Sequence, residues 1–301
     1  MDVLSDLLRV FHLKAHVFLH SQFYGAWRVD TSGEQKATFH LVTRGVCWLH
    51  LPSKDVPIPL RAGDLVVFPH DAVHTITHSQ DTPDLQLELN QPNEEGQASG
   101  RAATSLICGY FELDHFSWNP LHEDLPEVLI VQNDLAEGAA LIETVTRFIT
   151  FEIENNLPGE KIAIDRLSEI LFIYIVRAHM KSSQFTDGYI KALADPKLGK
   201  VLQSIHSDPG YSWTVDKLSK RAAMSRSSFS EKFLSLVKKT PMQYVTNWRM
   251  QRAHQEFYEK KNSTAQVAHQ FGYQSEASFS KAFKKHFGYG PGAARRKGIE
   301  S

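Results

Sequence analysis

The sequence predicts an α+β chain of two domains. The first, residues 1–182, is β-rich with flanking helices; the second, residues 183–301, is all-helical and holds two helix–turn–helix units. Three observations carry this division. Short β-prone runs separated by Gly, Pro or Asp fill the first 116 or so residues. The apolar period turns helical from Asp134 onward. Between Thr214 and Pro291 one passage occurs twice, at an offset of 50 residues.

The strand-like runs are Phe39–Val42, Val46–Leu51, Asp64–Phe68, Val73–His78 and Ser105–Phe111. Many short strands with turn residues between them predict a small barrel or sandwich. Residues 81–101 are polar and rich in Pro and Gly, which predicts a long loop with at most one strand at Leu85–Leu89. Leu141, Val145, Phe148, Ile149 and Ile153 then define one face of a helix. The break Asn155–Gly159 separates it from a second helix over about 160–180, whose apolar positions include Ile164, Leu171 and Ile175. This pair, in the segment 134–182, either packs on its own subunit or builds a homodimer interface and relays a signal. Ser182–Asp187 reads as the interdomain linker.

Ser225-Arg226-Ser227-Ser228-Phe229-Ser230-Glu231-Lys232-Phe233 returns as Ser275-Glu276-Ala277-Ser278-Phe279-Ser280-Lys281-Ala282-Phe283, the pattern S-x-x-S-F-S-x-x-F. Thr214 matches Thr264, and Pro241 matches Pro291. Thr214 and Ser263/Thr264 suit the N-caps of two short helices; Ser225 and Ser275 suit those of the helices that follow. The segment Pro241–Lys261 joins the units. About 20 residues of helix span roughly 30 Å, near the 34 Å turn of B-form DNA. Charge supports the same reading. Residues 195–301 hold 19 Lys+Arg against 8 Asp+Glu, a balance of +11, and the remainder holds 14 against 26, a balance of −12. A basic third beside an acidic remainder points to a polyanion as partner of the former alone.

The residues Trp213-Thr214-Val215, Leu218, Met224–Phe229, Phe233, Pro241–Tyr244, Trp248-Arg249-Met250, Phe271-Gly272-Tyr273, Phe279-Ser280, Ala282-Phe283-Lys284 and Phe287-Gly288 make this region, about 195–297, resemble the AraC/XylS family of bacterial transcription regulators. Lys238 departs from the glycine that commonly ends the first reading helix in that family. The resemblance implies promoter DNA as a partner, and it favours activation, with RNA polymerase as a second partner. By position, Arg226, Ser227, Ser230 and Glu231 face DNA from the first reading helix, and Glu276, Ala277, Ser280 and Lys281 from the second. Lys232, Arg249, Arg252, Lys284, Lys285, Arg295 and Arg296 are read as serving the DNA backbone or solvating the surface.

Gly63-Asp64-Leu65-Val66-Val67-Phe68-Pro69-His70-Asp71-Ala72-Val73-His74 is similar to the second cupin motif, with Asp71 in place of a glycine. The expected first-motif strand, Phe39–Leu51, has His40 and His50 but no H-x-H. The resemblance implies a cupin-like β-barrel acting as a sensor rather than a cupin metalloenzyme. His40, His74, His78 and Cys108 form the remaining constellation. Zinc or another transition metal is the cofactor such a set would take, and Cys108 could instead register an oxidant. The other readings are histidines buried for packing, or a small organic effector in the barrel.

Cys47 and Cys108 are too few for a disulfide scaffold, the longest strongly apolar run, Ile170–Val176, is too short for a bilayer, and the N-terminus has no basic leader region. A cytoplasmic, non-enzymatic, DNA-binding regulator responsive to a small molecule, metal or oxidant is the expectation. A cupin metalloenzyme with a DNA-binding tail and an effector-independent DNA-binding protein are its rivals.

Overall fold

A computed structural model describes residues 2–87, 89, 103–112, 118–132, 139–181, 188–259 and 262–300. Most of the expected long loop and the expected linker lie outside these. The chain forms two compact units, one of Leu13–Leu113 and Leu125–Ser183, the other of Met1–His12, Asp114–Asp124 and Gln184–Ser301. The N-terminal dozen residues and the segment before Leu125 thus belong with the helical unit.

The first unit has nine strands among the described residues: β1 (Lys14–Phe23), β2 (Arg28–Val29), β3 (Ala37–Arg44), β4 (Val46–His50), β5 (Ile58–Arg61), β6 (Leu65–Phe68), β7 (Thr75–Thr77), β8 (Thr104–Glu112) and β9 (Leu129–Val131). They form a five-stranded sheet, β1-β8-β3-β6-β9, and a four-stranded sheet, β2-β7-β4-β5. Phe23, Val42, Cys47, Leu49, Val66, Ile76, Leu106 and Cys108 are among the side chains that fill the core shared by both sheets. β3 has both faces covered, so Thr38 through Val42 are all buried in succession. Alternate residues divide between two layers. His40 pairs directly with Cys108 and points with it to the inter-sheet core. Phe39 and Phe111 point to the opposite face and stack at 4.6 Å.

That opposite face is covered by an antiparallel helix pair, α3 (Ala139–Asn155) and α4 (Glu160–Lys181), and Phe172 of α4 meets Phe111 at 4.8 Å. Gly109, directly opposite Phe39 in the register, leaves room for the ring: a Cβ there would lie 2.5 Å from it. The expected single buried face of α3 divides in two. Ile142, Val145 and Ile149 are buried, whereas Leu141 and Phe148 are more than half exposed.

The second unit opens with α1 (Val3–Val10), capped by Asp2, whose carboxylate accepts from Ser5 N. The reading of residues 1–116 as strands fails here, since Val3, Leu7 and Val10 fall on one helical face. The other helices are α2 (Pro120–Asp124), α5 (Tyr189–Ala194), α6 (Pro196–Ser207), α7 (Val215–Arg221), α8 (Arg226–Val237), α9 (Pro241–Glu259), α10 (Thr264–Gln270), α11 (Glu276–Phe287) and α12 (Pro291–Glu300). No helix among the described residues is long and apolar enough to cross a membrane.

The repeat is reproduced with one shift. Ser225 and Ser275 cap α8 and α11, but the caps of α7 and α10 are Thr214 and Ser263, 49 residues apart. The second turn is therefore one residue longer. Lys238 takes the left-handed conformation (φ 56°) that Gly288 takes at the equivalent end of α11 (φ 80°). A left-handed non-glycine residue carries about 1–2 kcal/mol of strain, against roughly 0.5–1 kcal/mol of entropic cost for glycine. Lys238→Gly is therefore expected to stabilise the chain by about 0.5–1 kcal/mol, read as a higher urea midpoint at unchanged slope; a lower midpoint would contradict the strain.

Candidate functional site

The two capped helices present one side inward and one outward. Phe229 and Phe233 of α8 are fully buried and 5.5 Å apart; Phe279 and Phe283 of α11 are fully buried and 5.7 Å apart. Around the second pair, Met250, Ala253 and Phe257 of α9 join Val267, Phe271 and Phe287 in the core of the second helix–turn–helix unit. Because the phenylalanines fix the rotation of each helix, the positions on the opposite side face outward. Arg226, Ser227 and Glu231 are exposed and Ser230 is half-buried; Glu276, Ala277 and Lys281 are exposed and Ser280 is half-buried. Ser225 Oγ accepts from Ser228 N at 3.2 Å, and Ser275 Oγ accepts from Ser278 N at the same distance. This leaves the other first-turn amides facing out beside the exposed side chains.

Two cations expected at the surface are held internally. Lys232 donates to Asp195, the N-cap residue of α6. Arg249 donates to the carbonyls of Pro209 (2.6 Å) and Tyr211 (2.7 Å), fastening α9 to the loop before α7. Sequence reasoning passes over Leu234, which is 47% exposed on the outward side of α8. Its position one residue past Phe233, off the phenylalanine face, is the available signal.

In the sheet unit three of the four expected ligands meet and one does not. His40 Nδ1 lies 3.0 Å from Cys108 Sγ, and His40 Nε2 lies 2.9 Å from His74 Nε2. Thr31 Oγ1 sits between the two rings, 3.1 and 3.2 Å from their Nε2 atoms. His78 is exposed and contacts the backbone of Trp27 instead. The expected strand Val73–His78 is only Thr75–Thr77, so the alternation that would put His74 and His78 on one face does not extend to either. His50 contacts Thr77 and the Ser79 carbonyl, away from the cluster.

One carbonyl sets every proton in this chain of side chains. Ala72 O, an acceptor only, lies 2.7 Å from His74 Nδ1, which therefore carries the hydrogen. Burial lowers the pKa of both His74 and His40, for His40 well below the usual value, so both rings are neutral. His74 Nε2 is then an acceptor, His40 Nε2–H a donor, and His40 Nδ1 an acceptor for the Cys108 thiol. Burial also raises the Cys108 thiol, and it raises that of Cys47 to about 12, so neither is a thiolate at neutral pH.

The donor set does not fit a metal. His40 turns one nitrogen to Cys108 and the other to His74, and a single imidazole cannot direct both to one ion. Among the described residues no group of three or more His, Cys, Asp or Glu is placed to hold one. Asp71, in the glycine position of the cupin motif, does have positive φ (57°), and its carboxylate accepts from Gly33 N and Gln35 N. It ties down the loop that carries Thr31.

A profile of the cupin family matches residues 2–181, and one of a helix-turn-helix domain matches residues 218–297. A putative AraC-like transcription regulator of Streptomyces antibioticus is 29% identical over 98% of this chain and 99% of that protein; another, of Streptomyces lividans, is 28% identical over 98% of each. This chain belongs to the AraC-type regulators with an N-terminal cupin domain. A third relative, 28% identical over 99% of the chain and 98% of its own length, is the "RCS-specific HTH-type transcriptional activator RclR" of Escherichia coli K12.

The neutral histidines of the cupin domain set a pH dependence. Unfolding exposes imidazoles that titrate near 6.5, so below that pH the unfolded chain binds more protons than the folded one. Stability is full above about pH 6.5 and falls as pH drops below it, by up to about 1.4 kcal/mol per pH unit for each such ring. His40→Gln is expected to flatten this slope between pH 6.5 and 5 in urea unfolding; an identical slope would show that His40 is not held neutral.

Proposed function

We propose that this AraC-type regulator binds promoter DNA through the outward faces of α8 and α11, in successive major grooves. The observation that carries the proposal is the pair of identically capped, phenylalanine-anchored helices with α9 between them. The 19 residues of α9 span about 28 Å. Arg226 and Lys281 suit phosphate or guanine, Glu231 and Glu276 accept from cytosine, and Ser227, Ser230 and Ser280 bond several groups. Leu234 and Ala277 suit the thymine methyl. The cupin domain responds to an effector, a small organic molecule in preference to a metal, because the His40 cluster does not converge on an ion. An oxidant acting on Cys108 would need an opened state that exposes its buried thiol. Activation, with RNA polymerase as partner, is supported by the word "activator" in the name of the Escherichia coli relative.

Arg226→Ala combined with Lys281→Ala should weaken promoter binding at least tenfold in a mobility-shift titration, with the circular dichroism melt unchanged. The salt dependence should become shallower by about one unit for each phosphate no longer neutralised. Undiminished binding would remove these helices from the interface.

The α3 face supports self-association. Leu141, Phe148 and Phe151, at spacings of seven and three, are each more than half exposed. A second copy of the chain covers them in this reading. Phe148→Glu with Phe151→Glu should shift the sedimentation coefficient from dimer to monomer; a monomeric parent chain would contradict it.

A further inference from the structure

The cupin domain has a cavity of about 360 Å3 at the edge of the His40 cluster, and its lining is chemically specific. One wall is aromatic: Phe18, half exposed, stacks on Tyr110 with ring centroids 6.2 Å apart. The rim carries Asp30 and Glu34, opposed by Lys36. That cation already shows what the wall attracts, since Lys36 Nζ stands 3.7 Å from the centre of the Tyr110 ring.

The lining also holds an unmet hydrogen bond. Thr38 is 2% exposed and lines the cavity, and its hydroxyl has no partner. A buried hydroxyl left unpaired is costly, so such a group in a cavity wall favours a ligand atom that supplies the partner. Thr31 lines the same cavity and bonds both histidines. Its loop is anchored by Asp71, so this wall is built rather than incidental.

We infer that this cavity is the effector site and that it takes a small organic cation: an amine placed against Tyr110 between Asp30 and Glu34, with a hydroxyl or equivalent group reaching Thr38. The amine takes the position of the Lys36 ammonium over the ring, and the polar end supplies the partner that Thr38 lacks. A ligand that also engages Thr31 competes for the hydroxyl between His40 and His74, which links occupancy to the buried chain ending at Cys108. This inference rests on the reading of the cupin domain as a sensor given above.

The test uses the intact chain and two probes of like shape and opposite charge, tyramine and 4-hydroxyphenylacetate, in calorimetric titrations. Tyramine is expected to bind, and the anion to bind at least tenfold more weakly or not at all. Thr38→Val and Glu34→Gln, each checked for an unchanged melt, should weaken tyramine by about fivefold or more. Absence of tyramine binding, equal affinity for the anion, or variants that bind as the parent does would each overturn the site. A second arm measures promoter affinity with and without saturating tyramine. Binding that depends on Thr38 but leaves DNA affinity unchanged would keep the site and overturn the sensor reading. Promoter affinity that shifts with tyramine in both the parent and Thr38→Val would keep a sensor and overturn this site.

Discussion

The burial of two phenylalanines, four residues apart, on each reading helix is the constraint on which the helical unit depends. Phe229 and Phe233, and Phe279 and Phe283, cannot turn outward without exposing rings whose truncation in a core typically costs about 3–5 kcal/mol. Their spacing fixes the rotation of α8 and α11 about their own axes. Everything on the opposite side is then committed to solvent or to a partner. The duplicated serines decide where each helix begins, so the two outward faces present equivalent positions with different chemistry: Arg226 against Glu276, and Glu231 against Lys281. In the proposed complex that difference, set on a common frame, would discriminate between two half-sites.

The cupin domain solves a different problem. Its sheet must bury polar imidazoles between two apolar layers, and it does so by giving each ring nitrogen a partner. The Ala72 carbonyl at one end and the Cys108 thiol at the other make a chain in which neutral histidines are satisfied. The same arrangement that stabilises them removes the geometry a metal would need. Thr31 is the one member that also reaches the cavity, which makes it the point where an outside molecule can touch the buried chain.

Features with a short repeat are legible in the sequence. The S-x-x-S-F-S-x-x-F pattern, the caps and α9 follow from periodicity, and the meeting of His40 with Cys108 follows from placing them on neighbouring strands. Features set by chain path are not legible. His74 and His78 both fall outside the three-residue β7, so strand alternation does not decide which of them joins the cluster. Thr31 enters it through a loop whose course depends on the distant Asp71. The 49-residue spacing of the first caps is hidden by the matching threonines at 214 and 264. A wide apolar face on α3 does not say which part is buried, so Leu141 and Phe148 cannot be told from Val145 by period alone. Val3, Leu7 and Val10 carry a helical period that the surrounding β-prone residues mask.

In the proposed complex one chain sets two helices into the same side of a duplex. Ethylation-interference mapping of the phosphates on a bound promoter tests it most directly. Two clusters of interfering phosphates about 10–10.5 base pairs apart on one face of the DNA are expected. A single cluster, or two clusters on opposite faces, would contradict it.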